Sequence, residues 1–228
     1  MTTSLGLYSK DIEKVHILYA LDLPGCYSEG ATEAEALGNF PAAFGSSCDW
    51  LTVHGEAVPD LSGSFEIAGR FASYTLADGY EVNGLFEPER QPPDREFVAG
   101  CCRLLGYSRL DLLAAAKAIP TAQRDLAFTA GERTPRQVIE HVARAEWWYL
   151  SHFADVPAAL HTDHPPGSPT QFEAVQAALI NWLTNIPREQ LGTVAVDREE
   201  EWSVRKLLRR ALWHERTHTA ELACFARD

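Results

Sequence analysis

A change of hydrophobic period near residue 90 constrains this chain more than any other feature. Before that point the sequence alternates like strands; beyond it the apolar residues recur every 3.6 positions, as in helices. The two patterns predict two domains of different class in one α+β chain: residues 1–90 and residues 91–228. In the front part, Lys14 to Ala20, Ser64 to Leu76 and Tyr80 to Phe86 are rich in β-branched and aromatic residues. Asp78-Gly79 supplies a turn between the last two, and the prediction is a small antiparallel sheet. Thr32 followed by Glu35 makes a capping box, so a helix is expected from Glu33 to about Thr52, kinked or interrupted at Pro41. Glu87 to Asp94, with three prolines and several charges, has the composition of a stiff, exposed connection.

Four helices are predicted beyond it: about Glu96 to Ile119, Pro135 to Ala154, Thr170 to Ile186 and Val204 to Ala226. Pro120, Gly131, Pro157, Pro165 to Pro169 and Pro187 fall between them. Thr134-Pro135 is an N-cap followed by proline at the first helical position, and Ser203 caps the last helix after the acidic run Glu199 to Glu201. The third helix sets Phe172, Val175, Leu179, Trp182, Leu183 and Ile186 on one stripe. Four helices that each bury one stripe are most simply satisfied by an all-α, up-down four-helix bundle.

With 228 residues and 46% hydrophobic content the chain can build a core. No apolar run approaches the roughly 20 residues that cross a bilayer, and the polar start does not read as a signal peptide, so a cytoplasmic location is expected. The five cysteines are scattered and form no CxxC pair, which fits reduced thiols; Cys101-Cys102 is read as core filling. Residues 1–95 hold 5 basic and 15 acidic side chains, most of the net charge of -12. Nucleic-acid binding needs clustered Lys and Arg, so no direct nucleic-acid contact is expected from this part; a basic protein partner suits it better.

The histidines of the helical part carry the chemistry. His214 and His218 are four residues apart, about 40° in azimuth and about 6 Å along a helix axis, so both reach one ion. They share the stripe of Leu207, Ala211 and Phe225, while His141 shares that of Val138, Ala145 and Trp148. Two facing helices thus offer three imidazoles with positions left for water or substrate, a set that suits a divalent transition metal such as zinc or nickel. A single inward histidine is more often a hydrogen-bonded core residue, and it is the third ring on another helix that favours metal. His152 lies about 16 Å farther along and is read as structural. His161, His164, His16 and His54 are read as solvated. Residues 214–218 spell HERTH, a match to HExxH, which would make Glu215 a general base. The extended protease pattern would want glycine at position 221 and histidine at 224, where this chain has Glu221 and Cys224. Glu215 is therefore expected to orient water, or to pair with Arg216 or solvent.

The helical part resembles the DinB family, also called DinB/YfiT-like metalloenzymes, through TPRQVIEHVARAEW at 134–147 and WSVRKLL at 202–208 followed by HERTH. The resemblance covers about 130 residues. It implies a four-helix bundle that holds a divalent metal through His141, His214 and His218, and a metal-dependent hydrolase or transferase using a small-molecule thiol such as bacillithiol, mycothiol or glutathione. The front part is similar to the HicB-like antitoxin domain through LDLPGCYSEGATEAEAL at 21–37, over about 45 residues. That resemblance implies an α/β unit that docks on a protein partner or forms a homodimer. An enzyme with a metal-activated nucleophile and a non-catalytic interaction or scaffold protein both fit these residues.

Overall fold

The computed structural model describes residues 5–12, 15–59, 64–127, 132–156, 160 and 168–226. It is mixed α/β and forms two compact units: Met1–Pro92 with Gly192–Arg209, and Pro93–Leu191 with Arg210–Asp228.

In the first unit, β1 (Leu5–Ile12), β2 (Val15–Ala20), β3 (Tyr27–Gly30) and β4 (Phe65–Ala72) form one sheet in the order β3-β2-β1-β4. The β1/β2 and β2/β3 pairs are antiparallel, but β1 and β4 run parallel. This corrects the expected antiparallel sheet. A parallel neighbour needs a long crossover, and helix α1 (Glu33–Val53) lies between β3 and β4 in the chain to supply it. Its capping box is formed, with Thr32 Oγ1 accepting from the Glu35 N–H at 3.1 Å and Glu35 Oε2 from the Ala31 N–H at 2.9 Å. Ala36 and Phe40 are fully buried, as are Leu7 and Leu18 of the sheet. Gly30 is required here, since a Cβ on it would lie 2.5 Å from the Ala36 nitrogen.

Of the two outcomes expected at Pro41, interruption does not occur: α1 runs through it as one helix. Pro41 is exposed, so water can satisfy the carbonyl that loses its N–H partner. The predicted strand from Ser64 to Leu76 divides into β4 and β5 (Tyr74–Thr75), and β5 pairs with β6 (Glu81–Val82) around Gly79, whose φ is 85°.

The proline-rich connector is also more built than its composition suggests. Glu87–Arg90 is a 3-10 turn, and Glu89 is buried, accepting from the Phe86 N–H at 2.9 Å. An unexpected hairpin, β7 (Ala195–Asp197) with β8 (Glu200–Trp202), completes this unit together with the first residues of the last helix. Arg198 and Glu199 turn it with φ of 49° and 65°. Lys206 and Arg209, at the start of that helix, are buried cations, each paired with a buried carboxylate. Lys206 Nζ pairs with Glu200 at 2.8 Å and donates to the carbonyls of Asn83 and Glu201 at 2.7 Å each. Arg209 pairs with Glu89 at 2.6 and 3.0 Å and donates to the Gly84 carbonyl at 2.9 Å.

The second unit contains α2 (Arg95–Ala118), α3 (Pro135–Ser151), α4 (Pro169–Asn185) and most of α5 (Val204–Phe225). Asp94, Thr134 and Ser168 cap the first three through their side chains. Leu112, Ile119, Val138, Val142, Phe172, Val175 and Leu222 form one core drawn from all four helices. Each such fully buried side chain is worth about 1.5–3 kcal/mol. Among the described residues, no helix is long and apolar enough to cross a membrane.

Candidate metal centre

His141 comes from the second turn of α3, whose start is fixed by Thr134 and Gln137 in a reciprocal capping box with Pro135 at the first position. His214 and His218 come from one face of α5, a helical turn apart. The three rings converge: His214 Nε2 lies 2.9 Å from His141 Nε2 and 3.2 Å from His218 Nε2. One ligand atom from each residue lies within 4.8 Å of the other two. Tetrahedral coordination at zinc–nitrogen distances of 2.0–2.1 Å separates two ligand nitrogens by about 3.3 Å. The observed spacings are therefore near those that one shared ion would impose.

The environment of His141 and His214 favours the neutral imidazole, the form that offers a lone pair to a cation. His214 and His218 are 7% and 8% exposed, whereas His141 is half-buried at the edge of the α3 core face, less inward than its stripe implied. Burial, with Arg133 and His218 adding to it, pushes the His141 pKa down to about 4. Burial does the same to His214, and its neighbouring histidines reinforce the shift.

Glu221 is the residue that sequence reasoning missed. Its Oε2 lies 2.5 Å from His218 Nδ1. That contact holds the Glu221 carboxyl below the usual range. A carboxylate on one ring nitrogen fixes the tautomer and directs the other nitrogen toward the ion. The signal was present: Glu221 follows His218 by three residues, one helical turn, but its position was weighed only as the site of an absent glycine.

Glu215 is neither in solvent nor paired with Arg216. It is fully buried, and Arg109 Nε of α2 donates to its Oε1 at 2.7 Å. The same guanidinium donates to both oxygens of buried Glu146 on α3, at 2.9 and 2.7 Å, and to the Phe172 carbonyl of α4 at 2.7 Å. It also sits 3.0 Å over the Phe172 ring. Two buried carboxylates share one guanidinium, and burial pushes the Glu215 pKa up to about 8. Buried and already engaged by Arg109, the Glu215 carboxyl is poorly placed to act as a general base.

The other described histidines stay apart from this cluster. His152 caps the end of α3 against the Trp148 ring, with centroids 4.7 Å apart. His16 and His54 are half-buried rather than fully solvated, and His54 packs on Trp50. His161 and His164 lie outside the described residues. All five cysteines are free; Cys101 is buried and Cys102 half-buried, and burial raises the Cys102 thiol pKa.

A family model described as the DinB superfamily matches residues 105–222, a span that holds all three converging histidines, Arg109, Glu146, Glu215 and Glu221. No curated protein and no solved structure matches the chain.

Proposed function

Because the chain belongs to the DinB superfamily, which is associated with metal-binding enzymes, we propose that His141, His214 and His218 hold one divalent transition-metal ion, zinc or nickel. The convergence of three Nε2 atoms carries this reading. In it the helical region is an up-down four-helix bundle, and the protein is a metal-dependent hydrolase or a transferase that uses a small-molecule thiol. Bound there, a divalent ion would act as a Lewis acid, lowering the pKa of a coordinated water or thiol.

The chain's own residues divide the remaining work. Burial keeps His141 and His214 neutral. Glu221 orients His218. Arg109 ties α2 to α3 through Glu146 and to α5 through Glu215, which fixes the two ligand-bearing helices against each other. Glu215 is thereby a positioning residue. The same proposal takes residues 1–90 as a HicB-like interaction module that binds a protein partner or a second copy, and residues 91–228 as the metal-binding domain. Five free cysteines suit a reducing cytoplasm.

Elemental analysis of the purified protein beside a His214→Ala, His218→Ala double variant tests the reading. Close to one equivalent of metal is expected in the wild type and little in the variant. Equal metal content in both would leave the scaffold reading in its place. With metal present, thiol cosubstrates screened against model electrophiles should identify the reaction.

A further inference from the structure

Beside His141, the first turns of α3 and the two residues before its cap frame an open groove of about 500 Å³, lined by Glu132, Arg133, Gln137, Glu140, His141 and Arg144. Most of its polar groups are already engaged. Arg144 donates to Glu140 at 2.6 Å, and Gln137 accepts from the Thr134 N–H at 2.9 Å. Arg133 differs. It is exposed and, among the described residues, makes no hydrogen bond or ion pair, even with adjacent Glu132. It lines the same groove as His141, so its guanidinium and one edge of the three-histidine cluster face a common space.

A fixed cation at this place opposes a second cation held by the imidazoles. In the groove Glu132 and Glu140 balance Arg133 and Arg144, and Glu221 supplies one compensating charge, which leaves part of a divalent ion's charge unmatched. A ligand with an anionic group would remove that conflict, because it could lie against the ion and Arg133 together. A guanidinium suits this task, since its planar fork matches carboxylate and phosphate oxygens two at a time.

We propose that this groove is the substrate subsite of the metal centre, and that Arg133 receives a carboxylate or phosphate group of the substrate. The assignment rests on the reading of His141, His214 and His218 as metal ligands. Full-length protein loaded with Co²⁺ provides the test, with inorganic phosphate and acetate titrated at constant ionic strength. Binding is followed by visible absorption and calorimetry, and cobalt content is measured on the same samples. Arg133→Gln should weaken anion binding about tenfold or more, as expected for loss of a charge-assisted pair, with Arg133→Lys intermediate and cobalt content unchanged. Unaltered anion affinity in cobalt-loaded Arg133→Gln would overturn this assignment alone. So would equal anion affinity in the His214→Ala, His218→Ala variant, which would place the anion away from the centre. Failure of the wild type to take up cobalt would overturn the ligand assignment and the subsite with it.

Discussion

At the scale of single residues, the site depends on how each imidazole is held as much as on its presence. His218 is oriented by Glu221, and removing such an orienting carboxylate typically costs about 10–100-fold in metal affinity. Glu221→Gln should therefore leave the fold intact and weaken metal retention by about that factor, measured by competition with a chromophoric chelator. Unchanged affinity would mean that the His218 tautomer needs no partner. The three ligand candidates were legible from spacing alone, because residues four apart share a helix face and His141 fell near a second apolar stripe. Arg109 and Glu146 were not, because the sequence does not say that a charge on α2 and one on α3 will meet in the core. Glu215 was misread for the same reason: its azimuth away from His214 pointed toward solvent only while the buried guanidinium opposite it was unknown.

At the scale of elements, the helices were more legible than the strands. Thr134-Pro135 and Ser203 mark helix starts by local chemistry and the prolines between the helices mark the breaks, so α2 to α5 begin and end within a few residues of expectation. Strand β1 shows a weak pattern because Ser9 and Lys10 are both buried although they are consecutive and point to opposite faces, which blurs the alternation. The hairpin β7/β8 escaped because its turn uses Arg198 and Glu199, where a two-residue turn with positive φ ordinarily signals itself through Asn-Gly or Asp-Gly. That choice has an energetic consequence. Glu199 holds φ of 65°, a conformation that costs a side-chain-bearing residue about 1 kcal/mol relative to glycine. Glu199→Gly should stabilise the protein by about 0.5–1 kcal/mol in urea unfolding. A loss of stability would show that the Glu199 carboxylate makes contacts worth more than the strain.

For the whole molecule, the deciding feature is that α5 belongs to both compact units: its first residues, to Arg209, cluster with the sheet, while Arg210 onward joins the other helices. The Glu89 and Arg209 side chains are 2% and 8% exposed, so deleting the carboxylate leaves a buried cation with the Gly84 carbonyl and the Tyr19 and Phe86 rings but no counter-ion. Breaking a buried pair costs about 3–5 kcal/mol. Glu89→Ala should lower unfolding stability by about that amount, whereas Arg90→Ala, whose pair with Glu201 is over a third exposed on both sides, should cost under about 1 kcal/mol. Similar losses in the two variants would remove the special role of the buried pair. The two partners are 120 residues apart. At a synthesis rate of about 5–20 residues per second, Glu89 leaves the ribosome on the order of ten seconds before its counter-ion exists. The sheet region can collapse early, yet the buried pair cannot lock it until Arg209 has been made.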